Sequence, residues 1–287
     1  MRRLALLFLV AAELVAGSHV AVLSPSRTTK SSHTAATRVR RLRGGDAGDD
    51  ELLHKIKQLG GVGPLSRAEI VNKLNAVPTF CIMQEDGSVI SLPDQDGAPG
   101  DECCTWFLDA GEAEETLKKV VAANPDLSDL RLVSHGLGDF IMMSSDGWPR
   151  QSDSPPSVDP AAPRLKLQGL REVQAALGEQ LVTALKSENL SAGAWQAAVF
   201  IAEELMQASA EGAQILLPVF LSPHDVQAAY ERAGIPAKAL EGVKVLELRM
   251  LLKHMAEGTP DAVNPWRATQ FIASPASLKL AHDVAVQ

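Results

Sequence analysis

Aromatic residues make up only 4% of this 287-residue chain, and there is a single tyrosine. Surfaces that stack nucleobases need several exposed rings, so no such surface is expected. Three cysteines cannot build a disulfide framework. The histidines (His19, His33, His54, His135, His224, His254 and His282) include no pair at helical ligand spacing, and there is no Cys-x-x-Cys. Zinc sites recur at such spacings, so no metal is expected. Phosphate-loop and Gly-x-Ser-x-Gly signatures are missing. Gly60-Gly-Val-Gly63 follows a helical pattern and lacks the third glycine of a dinucleotide fingerprint. Catalytic and cofactor-binding residues are therefore assigned to no position, and no cofactor is expected.

Acidic residues are missing from one stretch. Between Leu14 and Gly45 there is no Asp or Glu, against nine Ser/Thr and six Arg/Lys. Residues 1–45 carry net +7, so the remaining 19 bases and 34 acids leave a body of −15 within a total of −8. An acidic body opposes nucleic-acid binding, which needs clustered positive charge. Arg2 and Arg3 precede the apolar run Leu4 to Ala12, with small residues for cleavage near Gly17 or Ser18. This reads as a secretory signal peptide over 1–17, with a signal anchor as the alternative. Residues 18–45 have the composition of a transit peptide. Together they read as a bipartite presequence, which resembles those that lead through the ER to a complex plastid. The alternative is a secreted protein with a basic stub. No other run is long and apolar enough to span a membrane, so the mature protein is expected to be soluble.

Residues 46–65 read as an acidic linker and an amphipathic helix, with Leu52, Leu53, Ile56 and Leu59 on one face. Ser66-x-x-Glu69 is a capping box that opens a second helix. Two apolar runs around Asp86-Gly87 read as a hairpin. A strand at Cys103 to Leu108, a helix capped by Asp109, a strand at Leu130 to Val133 and a short helix around Leu137, Phe140 and Ile141 follow. Residues 144–163 hold five prolines and read as a loop. Leu165 to Leu167 opens a strand, followed by an amphipathic helix.

The second half repeats the first. At an offset of 113 residues, Trp106-Phe-Leu-Asp109 falls on Val219-Phe-Leu-Ser222, Glu112 on Asp225, Leu117 on Tyr230, Leu132 on Val245 and Leu137 on Met250. Upstream, Val77 to Phe80 corresponds to Ala197 to Phe200. The expected fold is α+β, with two similar half-units (66–143 and 164–287) packed about a pseudo-two-fold. Mixed or antiparallel sheets, amphipathic helices and an apolar seam complete it.

Two features bear on chemistry. Cys103 and Cys104 are neighbours in a strand, where successive side chains point to opposite faces, a poor geometry for bridging. Buried free thiols are the preferred reading, and a thiol-dependent enzyme using Cys103 or Cys104 is the alternative. Asn189-Leu-Ser191 is a glycosylation sequon that ER passage would expose.

Four blocks carry a family resemblance: Lys73 to Phe80, Trp106 to Leu117, Leu216 to Val226, and Val245 to Met255 with Trp266 and Phe271 to Pro275. In order and spacing they resemble the Tic twenty-two family, the soluble intermembrane-space subunit of the translocon at the inner chloroplast envelope. The chain looks like a divergent member over residues 66–280. The resemblance implies a non-enzymatic, chaperone-like import factor in an envelope space. Its partners would be precursor polypeptides and other translocon subunits, with no nucleic acid and no small-molecule cofactor. Peripheral association with a membrane is compatible with that role. A non-catalytic lumenal or secreted binding protein is a further alternative.

Overall fold

The computed structural model describes residues 61–94, 100–127, 129–144, 147–150, 164–208, 215–236 and 242–286. The expected signal peptide, transit segment, cleavage near Gly17 or Ser18, the helix before residue 61 and the proline-rich stretch 151–163 lie outside the described residues.

The elements run α1 (Arg67–Leu74), β1 (Pro78–Met83), β2 (Ser91–Pro93), β3 (Glu102–Phe107), α2 (Ala110–Ala123), β4 (Arg131–Gly136), α3 (Leu137–Met143), β5 (Leu165–Gln168) and α4 (Arg171–Ser187). Then come β6 (Ala198–Ile201), β7 (Gln207–Ala208), β8 (Ile215–Phe220), α5 (Pro223–Arg232), β9 (Lys244–Glu247), α6 (Leu248–Ala256), β10 (Thr269–Ile272) and α7 (Pro275–Ala285). Local signals set the helix starts. At α1, Ser66 Oγ accepts from Glu69 N at 3.3 Å and Glu69 Oε2 accepts from Ser66 N at 2.8 Å, the reciprocal capping box. Asp109 and Ser222 cap α2 and α5, and Pro223 occupies the first turn of α5.

Each half is one mixed sheet. In the first, β3 pairs with β5 in parallel on one edge, and antiparallel with β2 and β1 on the other; β4 then joins β1. The second has the same plan, with β8, β10, β7, β6 and β9 in the matching places. Phe80 faces Phe107 in one, and Phe200 faces Phe220 in the other. The expected duplicated α+β architecture is therefore the observed one.

Three details differ from the expectations. The offset of 113 holds at β3/β8 and at the first turn of α2/α5. At β4/β9 the pairing partners of Phe80 and Phe200 are Ser134 and Val245, an offset of 111. Leu132 thus matches Val243, and Leu137 matches Leu248 rather than Met250. A two-residue slip is silent in a strand, because the side-chain period is two and the inward face stays inward. Second, β5 belongs to the first sheet rather than to the half-unit 164–287, because it pairs with β3 over Cys104 to Phe107. Third, the turn at Asp86-Gly87 forms, with one bridge from Met83 to Val89, but β2 then crosses to pair with β3. The expected buried free thiols are found: Cys103 and Cys104 are 2% and 3% exposed.

That covering is reciprocal. The outer face of the first sheet (Phe80, Ile82, Phe107, Leu132) packs under α2 and under Leu280, Ala281 and Val284 of the C-terminal helix α7, which follows β10 of the second sheet. The outer face of the second sheet (Ala198, Phe200, Phe220) packs under α5 and under Val173, Leu177 and Leu181 of α4, which follows β5 of the first. Each half thus supplies the other's outer helix. The inner faces share one core with α1, α3 and α6. Across it Phe140 links Trp106, at 5.6 Å between centroids, to Trp195, at 5.7 Å.

Candidate functional site

The seam between the halves is solid core rather than an open groove, because the inner faces meet in a single apolar cluster. Where it reaches the surface there is a small concavity of about 20 Å³. It is built at four junctions: Val77 before β1, Leu108 and Asp109 between β3 and α2, Leu221 and Ser222 between β8 and α5, and Ala273 and Ser274 between β10 and α7. Each of the four sequence blocks supplies one junction. The blocks, separated along the chain, converge on one spot.

Helix starts dominate this spot. Asp109 Oδ1 accepts from Glu112 N at 2.9 Å, and Ser274 Oγ accepts from Ser277 N at 2.9 Å. Ser277 Oγ donates to Leu108 O at 3.4 Å, which ties α7 to the first half. The exchanged helix α4 has no side-chain cap of its own. Glu112 of α2 provides one: it accepts from Arg171 N at 2.7 Å and from Gln168 Nε2 at 2.6 Å. The repeat-equivalent acid is Asp225, one methylene shorter, while α7 is capped by its own Ser274. Burial, reinforced by the charge of Asp109, raises the Asp225 carboxyl above the ordinary range.

Because the folded-state value is raised, the stability linked to Asp225 is fully present below the ordinary carboxylate value and is lost as pH rises through the folded one. Asp225→Asn should therefore raise the unfolding midpoint at pH 7 and change little below about pH 4. Thermal melts at both pH values check this; a neutral-pH midpoint at or below that of the unmodified chain would contradict it.

The thiols do not form a reactive site. Cys81, Cys103 and Cys104 are free and buried. Burial pushes the Cys81 thiol up to about 12, aided by nearby Cys104, and raises Cys103 as well. A thiol-dependent enzyme needs the opposite, a lowered and accessible thiol. Thiol titration of the native chain should find no fast-reacting group, and all three should react in denaturant. One native cysteine reacting within the mixing time would revive the enzymatic alternative. Among the described residues, no group of three or more His, Cys, Asp or Glu could hold a metal ion.

Sequence reasoning passed over two buried ion pairs. Arg249 is 2% exposed, and its guanidinium donates to Glu247 Oε1 at 3.0–3.1 Å and to Trp195 O at 2.6 Å while lying 4.6 Å over the Trp195 ring. Glu247 also accepts from Arg249 N at 2.6 Å, capping α6. Lys166 of β5 donates to Asp94 at 2.6 Å, which fastens the parallel edge strand to the loop after β2. Neither pair stands in a motif: Lys166 and Asp94 meet only through the tertiary fold, and Glu247 and Arg249, two residues apart, are buried together only by it. Asn189, the sequon residue, is exposed and sits at the end of α4, away from the seam.

No family model matches the chain, and no curated protein does. Solved structures similar to it include two described as Tic22. One is described as "Anabaena Tic22 (protein transport)", 16% identical over 76% of this chain and 97% of that one, with a TM-score of 0.49. The other is "Tic22 from Plasmodium falciparum", 19% identical over 76% of this chain and 98% of that one, also with a TM-score of 0.49.

Proposed function

We propose that this chain is a non-enzymatic protein-import factor that meets precursor polypeptides, in the manner of a chaperone, in an envelope space of a complex plastid. The observation that carries the reading is the convergence of the four family-like blocks on the junctions at the head of the seam. Val77, Leu108, Leu221 and Ala273, one from each block, lie together there. Order along a sequence can be matched by chance; convergence in space is an independent constraint on the same residues. The acidic body adds long-range attraction for basic presequences, screened beyond about 8 Å at physiological salt. Among the described residues, no helix is long and apolar enough to cross a membrane. The bipartite presequence would route the chain through the ER to the plastid envelope, with peripheral contact to the membranes there.

Site-specific photocrosslinking during import tests this. A photoreactive side chain placed at Leu221, half-buried at the seam head, should capture precursors in transit and translocon subunits. The same group on exposed Glu179 of α4 should capture neither. Equal capture at both positions, or none at either, would remove the import reading. Fractionation of a tagged chain tests the location, and recovery from the secretory medium would favour the lumenal or secreted alternative.

A further inference from the structure

We propose that Asn189 is an N-glycosylation acceptor, carrying one glycan placed at the far end of α4 from the seam. The inference rests on the ER-routing part of the preceding reading, and adds a modification site to it.

Asn189-Leu190-Ser191 has the acceptor pattern, with no proline in the middle. The structure places it where a glycan can be borne. α4 ends at Ser187, and the chain then turns back: Asn189 N donates to Lys186 O at 3.0 Å and Leu190 N to Leu185 O at 2.9 Å. Asn189 takes φ +55°, a left-handed conformation that Asn tolerates better than most residues. It is exposed, while the next residue, Leu190, is 4% exposed and packs with Leu185 and Met250. The carboxamide therefore lies on the outside of a turn whose inside is anchored.

The helix-ending role accounts for Asn at 189, but not for the hydroxyl two residues later. Ser191 is held by its backbone: its N donates to Arg150 O at 3.0 Å and its O accepts from Arg249 Nη1 at 3.3 Å. Neither contact uses the side chain, so any residue with an N–H would serve the fold there. The sequon requires that hydroxyl, whereas these contacts do not.

The position is also compatible with the proposed client surface. Leu170, at the start of α4, lines the seam concavity. The 17 residues of α4 carry Asn189 roughly 25 Å away from it. A bulky polar glycan at 189 would stand clear of the convergent blocks.

In the transfer step, Asn189 Nδ2 bonds to the anomeric carbon of an oligosaccharide carried on a lipid pyrophosphate. The bond from that carbon to the phosphate oxygen breaks, the lipid pyrophosphate leaves with the electron pair, and the carboxamide proton passes to a base of the transferase. Because Leu190 is buried in the native state, the transfer belongs to the nascent chain, before α4 docks.

The test translates the full chain into ER microsomes in two forms, one with its own presequence and one with residues 1–17 replaced by a strong secretory signal. Gel mobility is compared before and after peptide N-glycosidase. A single glycosidase-sensitive shift is expected in both forms. It should vanish in Asn189→Asp, which keeps a left-handed-tolerant residue, and in Ser191→Ala, which keeps Asn189; Ser191→Thr should retain it. No shift behind the secretory signal, or a shift that survives Asn189→Asp, would overturn the site. A shift behind the secretory signal but not behind the natural presequence would leave the site standing and overturn the ER routing.

Discussion

A chain truncated after Ala273 is expected to lose the packing of its first half, not its second. The truncation removes α7, whose Leu280, Ala281 and Val284 close the outer face of the first sheet. Phe80, Ile82, Phe107 and Leu132 lie beneath, all nearly inaccessible in the intact chain. Fully burying one such side chain contributes about 1.5–3 kcal/mol. Uncovering even part of four of them consumes much of a total stability of ~5–15 kcal/mol. The second sheet keeps both of its outer helices, α4 and α5, and should hold its packing better. Hydrogen exchange on the truncated chain should show loss of protection in β1, β3 and β4 ahead of β6, β8 and β9. A peptide of residues 275–287 added in trans should restore it in part. Cooperative unfolding with an unchanged midpoint, or loss confined to the second sheet, would refute the reciprocal covering.

The second large effect is at Arg249. Replacing it with Met leaves the Glu247 carboxylate buried, at 0% exposure, beside a partner that no longer carries charge. Breaking one side of a buried pair costs about 3–5 kcal/mol. The Trp195 carbonyl loses its 2.6 Å donor at the same time. Denaturant melts should place Arg249→Met in that range. The double variant Glu247→Gln/Arg249→Met should recover much of the loss, since removing both charges of a buried pair is often close to neutral. A loss under about 1 kcal/mol, the size seen for exposed pairs, would mean that the guanidinium is not the partner that stabilises Glu247.

Local chemistry was readable in the sequence, and long-range partnership was not. Ser66, Asp109 and Ser222 announce helix starts because a cap acts within one turn. The duplication was visible because β3–α2 and β8–α5 keep an ungapped spacing. The slip before β9 escaped notice because two residues preserve the facing of a strand. The helix exchange left no trace, since the apolar stripes of α4 and α7 record that a face is buried but not against which sheet. The pairing of β5 with β3 was hidden for the same reason: a short apolar strand names no neighbour. Cys103 is buried beside Thr105 and near Asp94 and Lys166, so its burial depends on the loop after β2 and on β5, neighbours that a strand pattern does not name. At the seam, the blocks gave the residues, and only the fold shows that they meet.

Synthesis runs from the N-terminus, and α7 follows every other described element. The first sheet can assemble its strands early under α2, yet its outer face is only partly covered until α7 arrives. Closure of the first half waits for an element that follows the second sheet, so the interleaving of the two halves orders their folding as well as fastening them.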